Sequence, residues 1–341
     1  MKPDIRDFTR AELEEELLSL GLKATHAGRV FECLYKQGIT DFEEMAEVPP
    51  KVRAALAGKY SLCPFPPAEK RVSLLDGTQK LLFRFHGGAP AESVILPGKG
   101  RLSACLSSQA GCACGCTFCA TGALGLKRDL RPSEITAQFA ACLREAGGSL
   151  SSLVFMGMGE PFLNWENVKK AILILSDGRS WNYSQGKMTV STVGIVPVIN
   201  ELATSTLKVK LAISVVAADE VLRAKLVPMQ AKYPLSEVIA AARSYCRARK
   251  AQVFFEYIVF TGVNDSAADA EKLIRLIKGI DCRVNLIPHN SPAGRTGDGE
   301  PSVKTKAFQK QLIAAGLRTY LRLEKGSDIL AACGQLAAKL P

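Results

Sequence analysis

From residue 101 onward the chain alternates short apolar runs with amphipathic stretches, and this alternation constrains its fold more than any other feature. Runs at 102–106, 153–156, 188–191, 209–214, 253–259 and 284–287 predict strands. Stretches at 134–145, 165–175, 196–203, 235–249 and 267–277 predict the helices between them. Strand–helix alternation implies parallel pairing, because each helix carries the chain back to the edge where the next strand begins. Six such units are too few for a closed eight-stranded barrel; they fit a partial (βα)6 barrel or an open doubly wound sheet. Upstream the pattern changes. Leu13, Leu17, Leu18, Leu20, Val30, Leu34, Val52, Ala55 and Leu56 recur near helical spacing, with Pro49-Pro50 as a break. Segments 71–75 and 80–85 around Asp76-Gly77 predict a β-hairpin, and 92–97 a further strand. We therefore expect a helical accessory domain over 1–60, a β-hairpin and strand connector over 61–100, and an α/β domain over 101–341.

The chemistry is concentrated just after the first strand of that series. Gly111-Cys112-Ala113-Cys114-Gly115-Cys116-Thr117-Phe118-Cys119 places Cys112, Cys116 and Cys119 at C-x3-C-x2-C spacing. Three thiolates on one loop can hold three irons of a [4Fe–4S] cluster and leave the fourth open to another ligand. Structural zinc normally needs four ligands, but there is no second C-x2-C, and the three histidines, His26, His86 and His289, form no Cys/His cluster. Eleven cysteines, an odd number, in a chain without an apolar leader read as thiols of a reducing cytoplasm rather than a disulfide framework. Cys114 reads as a bystander, and Cys33, Cys63, Cys142, Cys246 and Cys282 as small core residues. No run approaches a membrane span, and a net charge of +11 favours a polyanionic partner.

The cysteine spacing resembles that of the radical S-adenosylmethionine (SAM) enzymes, in which the amino and carboxylate groups of SAM ligate the open iron. Its place after the first strand, as in those enzymes, favours the partial barrel. Further segments narrow the resemblance: Cys105-Leu-Ser-Ser-Gln-Ala-Gly-Cys112, Gly157-Met-Gly-Glu-Pro161, Thr189-Val-Ser-Thr192, Asn285-Leu-Ile-Pro-His-Asn290 and Gly326-Ser-Asp-Ile-Leu-Ala-Ala-Cys333-Gly-Gln-Leu336. From Phe42-Glu-Glu-Met45 to Leu336 the chain resembles the bacterial RNA adenine C2-methyltransferases, whose near relatives methylate C8 of the same adenine and confer antibiotic resistance. The resemblance implies methylation of an adenine in 23S rRNA and, in many members, of the tRNA adenine beside the anticodon.

It also implies roles. Residues 101–341 would be a radical-SAM barrel ending in a methyl-carrying cysteine segment, with Cys112, Cys116 and Cys119 on one [4Fe–4S] cluster and two SAM used per turnover. One SAM methylates Cys333. The radical from the second takes hydrogen from that methyl, the carbon radical adds to the base, and Cys105 forms a disulfide with Cys333 to release the product. Electron-poor amidine carbons do not attack the methyl of SAM, so polar transfer fails at C2. Glu92 matches the general base, and Gly159, Glu160, Ser191, Ser214, Val215, Val216 and Asn290 match SAM-contacting positions. Val216 stands where the family usually has histidine, so an imidazole hydrogen bond is lost there.

The target adenine must be unstacked, so single-stranded or bulged RNA is expected. Lys99, Arg101, Lys127, Arg128, Arg131, Arg283, Arg295 and Arg322 are candidate phosphate contacts. A flavodoxin-type reductase would supply electrons to a cytoplasmic, monomeric enzyme with no membrane contact. The competing readings are C8 methylation, a homologue with a shifted substrate, a small-molecule radical-SAM enzyme, and a non-catalytic RNA-binding protein with a structural metal centre.

Overall fold

The computed structural model describes residues 2–289 and 302–337. The N-terminal part carries helices α1 (Arg10–Ser19), α2 (His26–Phe31) and α3 (Pro50–Lys59). Thr9 and Glu12 cap α1 reciprocally, and Pro50 opens α3, where its missing N–H costs nothing. Leu13, Leu17, Val30, Phe31, Val52 and Leu56 close a core of their own, to which the barrel contributes Ile174.

The strands are β1 (Glu69–Val72), β2 (Gln79–Arg84), β3 (Pro90–Gly98), β4 (Arg101–Cys105), β5 (Gln109–Gly111), β6 (Leu126–Asp129), β7 (Ser152–Phe155), β8 (Met188–Thr192), β9 (Lys210–Ser214), β10 (Val253–Val259), β11 (Cys282–Pro288) and β12 (Thr319–Leu321). Ten form one sheet in the order β1-β2-β3-β4-β7-β8-β9-β10-β11-β12, and β5 pairs with β6 alone. From β4 to β12 every pairing is parallel. The strands follow one another without reversal, which is the winding of a partial barrel; a doubly wound sheet would reverse at a switch point.

The remaining helices are α4 (Ala120–Ala123), α5 (Pro132–Glu145), α6 (Trp165–Ser176), α7 (Val196–Thr204), α8 (Glu220–Leu226), α9 (Leu235–Arg249), α10 (Ala267–Ile277) and α11 (Val303–Ala314). The six expected strand–helix units are present. A seventh parallel strand, β12, adds to the edge; three residues in a polar context are too few to show alternation in sequence. The hairpin and β3 are not set apart from the barrel, since β3 pairs antiparallel with β4 and continues the same sheet.

The two faces of this sheet differ sharply. Leu153, Phe155, Val190, Leu211, Ile213, Phe255, Val284 and Leu286 are wholly buried and face the helices. Their neighbours Val154, Thr189, Ser191, Ser214, Ile258, Asn285 and Ile287 are only half-buried and face the barrel interior. Alternation therefore separates a packed outer layer from a partly open inner one, with polar groups lining the latter.

Candidate active site

The cysteine loop is closed at its base by the β5–β6 ladder. The Cys112 amide donates to the Gly125 carbonyl at 3.0 Å. Gly111 takes φ +77°, and a Cβ there would lie 1.9 Å from the Gly125 oxygen, so only glycine lets the two ends of the loop meet. Thr117 donates its amide to the Leu226 carbonyl at 3.0 Å, tying the loop to α8. Cys119 then leads into α4.

The donor set fits a cluster. The Sγ atoms of Cys112, Cys116 and Cys119 do not form a trio all within 4.8 Å of one another; among the described residues only Asp4, Cys63 and His86 do. Thiolates on a single tetrahedral zinc, with Zn–S of about 2.3 Å, would sit roughly 3.8 Å apart, whereas a cubane spreads its ligands wider. Burial, then the neighbouring Cys119 and Cys112, push the Cys116 thiol up to about 12. Burial also raises Cys119. Such crowding of thiols is what a cationic iron centre relieves. Cys112 is held down chiefly by the Cys114 thiol, with the Cys114 amide, 3.5 Å from its sulfur, adding to it, while the same thiol–thiol bond drives Cys114 strongly up. Cys114 is therefore the donor of that pair and Cys112 the acceptor. At Asp4, by contrast, the carboxylate is already taken by Arg6, at 2.7 and 2.9 Å, so that trio is an ion-pair site.

Glu160 stands beside this loop, its charge felt by Cys112, Cys114 and Cys116. Its two oxygens accept the amides of Val193 at 2.8 Å and Phe162 at 3.0 Å, and burial raises it to about 7. Its own amide donates to the Gln109 side chain at 2.8 Å. Gly159 (φ +97°) has a packing reason of its own, because a Cβ would lie 2.5 Å from that of Gln109. Arg223 is wholly buried, and of the anions near it Cys116 acts on it most strongly. Its guanidinium donates to the carbonyls of Val215 at 3.0 Å and Val193 at 2.6 Å and to the Gln230 side chain. Desolvation lowers it to about 10. A buried cation bonded only to neutral oxygens suits an anionic thiolate cluster.

Cys105 lies on the inner face of the barrel sheet, opposite Val94 and beside Val154, within electrostatic reach of Cys333. Burial, then Cys333, push Cys105 up to about 12. Cys333 is raised by burial and opposed by Arg322. Its surface is open to solvent although protein surrounds it on most sides, as at the wall of a concave mouth, and that open surface is what gives a substrate access to it. Arg322 is likewise 41% exposed along its side chain, and lies 3.6 Å from Glu256 and 3.8 Å from the Met156 sulfur. Burial works against its charge, but Glu256, Cys333 and Cys105 outweigh that. Glu256 itself is buried on β10 and raised by burial; Asn285 donates to its Oε1 at 2.8 Å. Among the described residues its Oε2 has no hydrogen bond and meets the longer ion pair to Arg322.

Glu92 is buried on β3 and pairs with Lys80 at 3.0 Å, and it accepts the Ala337 amide at 3.1 Å. Register puts it on the face of Cys105, since Val94, two residues on, is opposite Cys105. Ser191 and Ser214 lie half-buried on the inner face. Val215 and Val216 are wholly buried at the end of β9. Val216 takes φ +67°, a conformation that β-branched residues rarely adopt and that costs on the order of 1–3 kcal/mol. Its amide and that of Val215 donate to the Glu256 carbonyl, at 3.3 and 3.0 Å, and its own carbonyl accepts from Asn264 at 3.2 Å. Asn290 and Arg295 lie outside the described residues.

Arg128, expected among the phosphate contacts, is committed elsewhere: it forks onto buried Glu134 at 2.7 and 2.8 Å. Of the cysteines read as core, Cys33, Cys142 and Cys282 are buried, while Cys63 and Cys246 are half-buried. Sequence reasoning gave no site role to Arg223, Asn285 or Glu256. An acidic residue within the apolar run Phe254-Phe255-Glu256-Tyr257 was the available signal for the last.

Comparison with known proteins agrees with this geometry. Residues 106–277 match the family model of the radical SAM superfamily, and residues 3–62 match that of the ribosomal RNA large subunit methyltransferase N-terminal domain. A probable dual-specificity RNA methyltransferase RlmN of Thermotoga neapolitana is 40% identical over 98% of this chain and 98% of its own. A dual-specificity RNA methyltransferase RlmN of Syntrophotalea carbinolica is 40% identical over 99% of this chain and 90% of its own. The crystal structure of a radical SAM methyltransferase from Sphaerobacter thermophilus superposes with a TM-score of 0.89 at 42% identity, covering 99% of this chain and 100% of that one.

Proposed function

The chain belongs to the RlmN family of radical-SAM methyltransferases, and from that premise we propose that it methylates C2 of an adenine in 23S rRNA, and of the adenine beside the anticodon in tRNA, through a methyl group carried on Cys333. The observation that carries this reading is that Cys333 lies within electrostatic reach of both Cys105 and Cys119, on a segment that the residue after Cys119 bonds directly, Ala120 to the Gly334 carbonyl at 2.7 Å. A binding module has no use for two such thiols brought together from opposite ends of the barrel.

Cys112, Cys116 and Cys119 would hold a [4Fe–4S] cluster, and Glu160 would accept the ammonium of SAM; Gly159, Ser191, Ser214, Val215, Val216 and, by resemblance alone, Asn290 would be its further contacts. When bound, the cluster and SAM would supply radical chemistry able to take hydrogen from a methyl group on sulfur. Cys333 carries the methyl, and its partly open surface lets a base approach. Cys105, buried and raised to about 12, stays a thiol until Cys333 needs resolving. Glu92, on the same sheet face, is the candidate base. Arg322 stands between Glu256 and both cysteines, and its guanidinium favours their thiolate forms.

Residues 1–60 are assigned to an accessory part that helps grip folded RNA, 61–100 to a hairpin and strand connector that extends the barrel sheet and carries Glu92, and 101–341 to the catalytic barrel. Two SAM are used per turnover, a flavodoxin-type reductase supplies electrons, and the enzyme works as a monomer in the cytoplasm. No helix among the described residues is long and apolar enough to cross a membrane.

The test is nucleoside mass spectrometry of a 23S rRNA fragment and a tRNA after anaerobic incubation with cluster-reconstituted protein, SAM and reductant. 2-Methyladenosine in either RNA is the expected product. 8-Methyladenosine would reassign the position, and SAM cleavage without a methylated nucleoside would reassign the substrate.

A further inference from the structure

Within itself the Cys333 segment is shaped by local turns. Residues 326–337 make one short 3-10 turn, Ser327–Ile329, between two left-handed residues, Gly326 (φ +62°) and Leu330 (φ +53°). A second left-handed glycine, Gly334 (φ +83°), follows the cysteine. Its own backbone bonds are short-range, from Ile329 and Ala331 to the Gly326 carbonyl, Leu330 to Ser327 and Gln335 to Ala332, so its place in the fold depends on what grips it.

The grip comes from two sides. On one side is the β1–β2 hairpin. The Asp76 carboxylate accepts the Gly326 amide at 3.0 Å through Oδ2, while its Oδ1 accepts the Thr78 amide at 2.9 Å within the turn. Asp328 reaches back the other way, accepting the Ser73 hydroxyl at 2.7 Å and the Leu74 amide at 2.9 Å. Ser73 Oγ also accepts the amides of Leu75 and Asp76, at 3.2 and 3.3 Å, so turn and segment share one bonded network. Lys80 donates to the Leu330 carbonyl at 3.2 Å and pairs with Glu92, which accepts the Ala337 amide. On the other side is the cysteine loop itself: Ala120 donates to the Gly334 carbonyl at 2.7 Å, and Thr121 to the Leu336 carbonyl at 2.5 Å. Ala120 directly follows Cys119.

We propose that the β1–β2 hairpin is the clamp that positions Cys333, with Asp76, Asp328 and Ser73 as positioning residues that press its segment against the cysteine loop. The proposal rests on the reading of Cys333 as the methyl carrier. Both carboxylates accept two donors at once, so an isosteric amide satisfies one and repels the other. A hairpin that continues the barrel sheet through β3 is a rigid arm, suited to fixing a thiol to the tolerance that radical transfer requires.

The experiment uses the cluster-reconstituted full chain with Asp76→Asn combined with Asp328→Asn, and separately Ser73→Ala, which removes only the 2.7 Å bond to Asp328 and the two turn bonds. Anaerobic hydrogen exchange is read across 326–337, and methylated adenosine is counted per 5′-deoxyadenosine released. We expect exchange in that segment to rise at least tenfold in the double variant, with the cysteine loop unchanged, and the coupling ratio to fall at least tenfold. Ser73→Ala should lie between it and the unaltered protein. A protein merely destabilised would lose both products together and keep its ratio. Unaltered exchange, or faster exchange with an unaltered ratio, overturns the proposal. Methylation by Cys333→Ala would instead overturn the carrier reading, while the exchange rates would still test the clamp contacts separately.

Discussion

Gly111→Ala should cost this protein its cluster while Gly115→Ala does not, although both glycines are in the cysteine loop region and both have positive φ, +77° and +61°. Left-handed backbone alone costs a side-chain-bearing residue about 1–2 kcal/mol. At Gly115 that is the whole expense, since an added Cβ meets only Pro228 at 3.8 Å. At Gly111 the added carbon would lie 1.9 Å from the Gly125 carbonyl oxygen and 3.0 Å from its carbon, all backbone that cannot swing aside. Relief requires the β5–β6 ladder to part by at least about 1 Å, adding an overpacking cost of about 1–3 kcal/mol. The same movement breaks the bond from the Cys112 amide to that oxygen, for about 1 kcal/mol more. The total, about 3–6 kcal/mol, is comparable with the whole stability of many domains. The strain falls on the residue next to the first ligand. Iron per chain after anaerobic reconstitution, with urea unfolding alongside, measures it: near-normal iron for Gly115→Ala and severe loss for Gly111→Ala are expected. Equal iron and equal stability in the two variants would refute the steric reasoning.

Three further outcomes follow from buried charge. Glu160 is raised by burial from 4.5 to about 7, so between those values the folded chain holds a proton that the unfolded chain has lost; stability of the cofactor-free protein should therefore fall as pH rises from about 4.5 to 7, and Glu160→Gln should flatten that slope in urea titrations at several pH values. A slope that survives in Glu160→Gln would assign it to another group. Glu134→Ala strands Arg128 and the amides of Arg131 and His86, all bonded to a side chain with no exposed surface, and should cost about 3–5 kcal/mol by chemical denaturation; a loss under about 1 kcal/mol would mean that water replaces it freely. Arg223→Met removes the buried positive charge beside Cys116, so the cluster's midpoint potential, followed by anaerobic spectroscopic titration, should move to a more negative value, because the reduced cluster carries more negative charge. An unmoved potential would leave Arg223 a packing residue only.

The strand–helix periodicity and the cysteine spacing are local properties, and local properties are what a sequence displays. Strands packed on helices require apolar residues at alternate positions, so β7 to β11 were visible as runs such as Val253–Val259. Three thiols within one loop are close whatever the rest of the chain does. The three-residue β12 is too short for any period, and Arg223 and Glu256 differ in sequence from surface charges only by their apolar neighbours. Arg128 shows the converse: its sequence context suggests a free cation, and only the fold supplies Glu134 beneath it. By itself the sequence determined the order of elements, the three-cysteine loop and the family resemblance, because each depends on neighbours along the chain. Tertiary structure alone decided that Asp76 and Asp328 fasten Cys333, that Arg322 links Glu256 to two distant thiols, and that Arg223 lies buried beside the loop. Such contacts join residues far apart in the chain, and what sets them is the winding of the sheet, which no local pattern encodes.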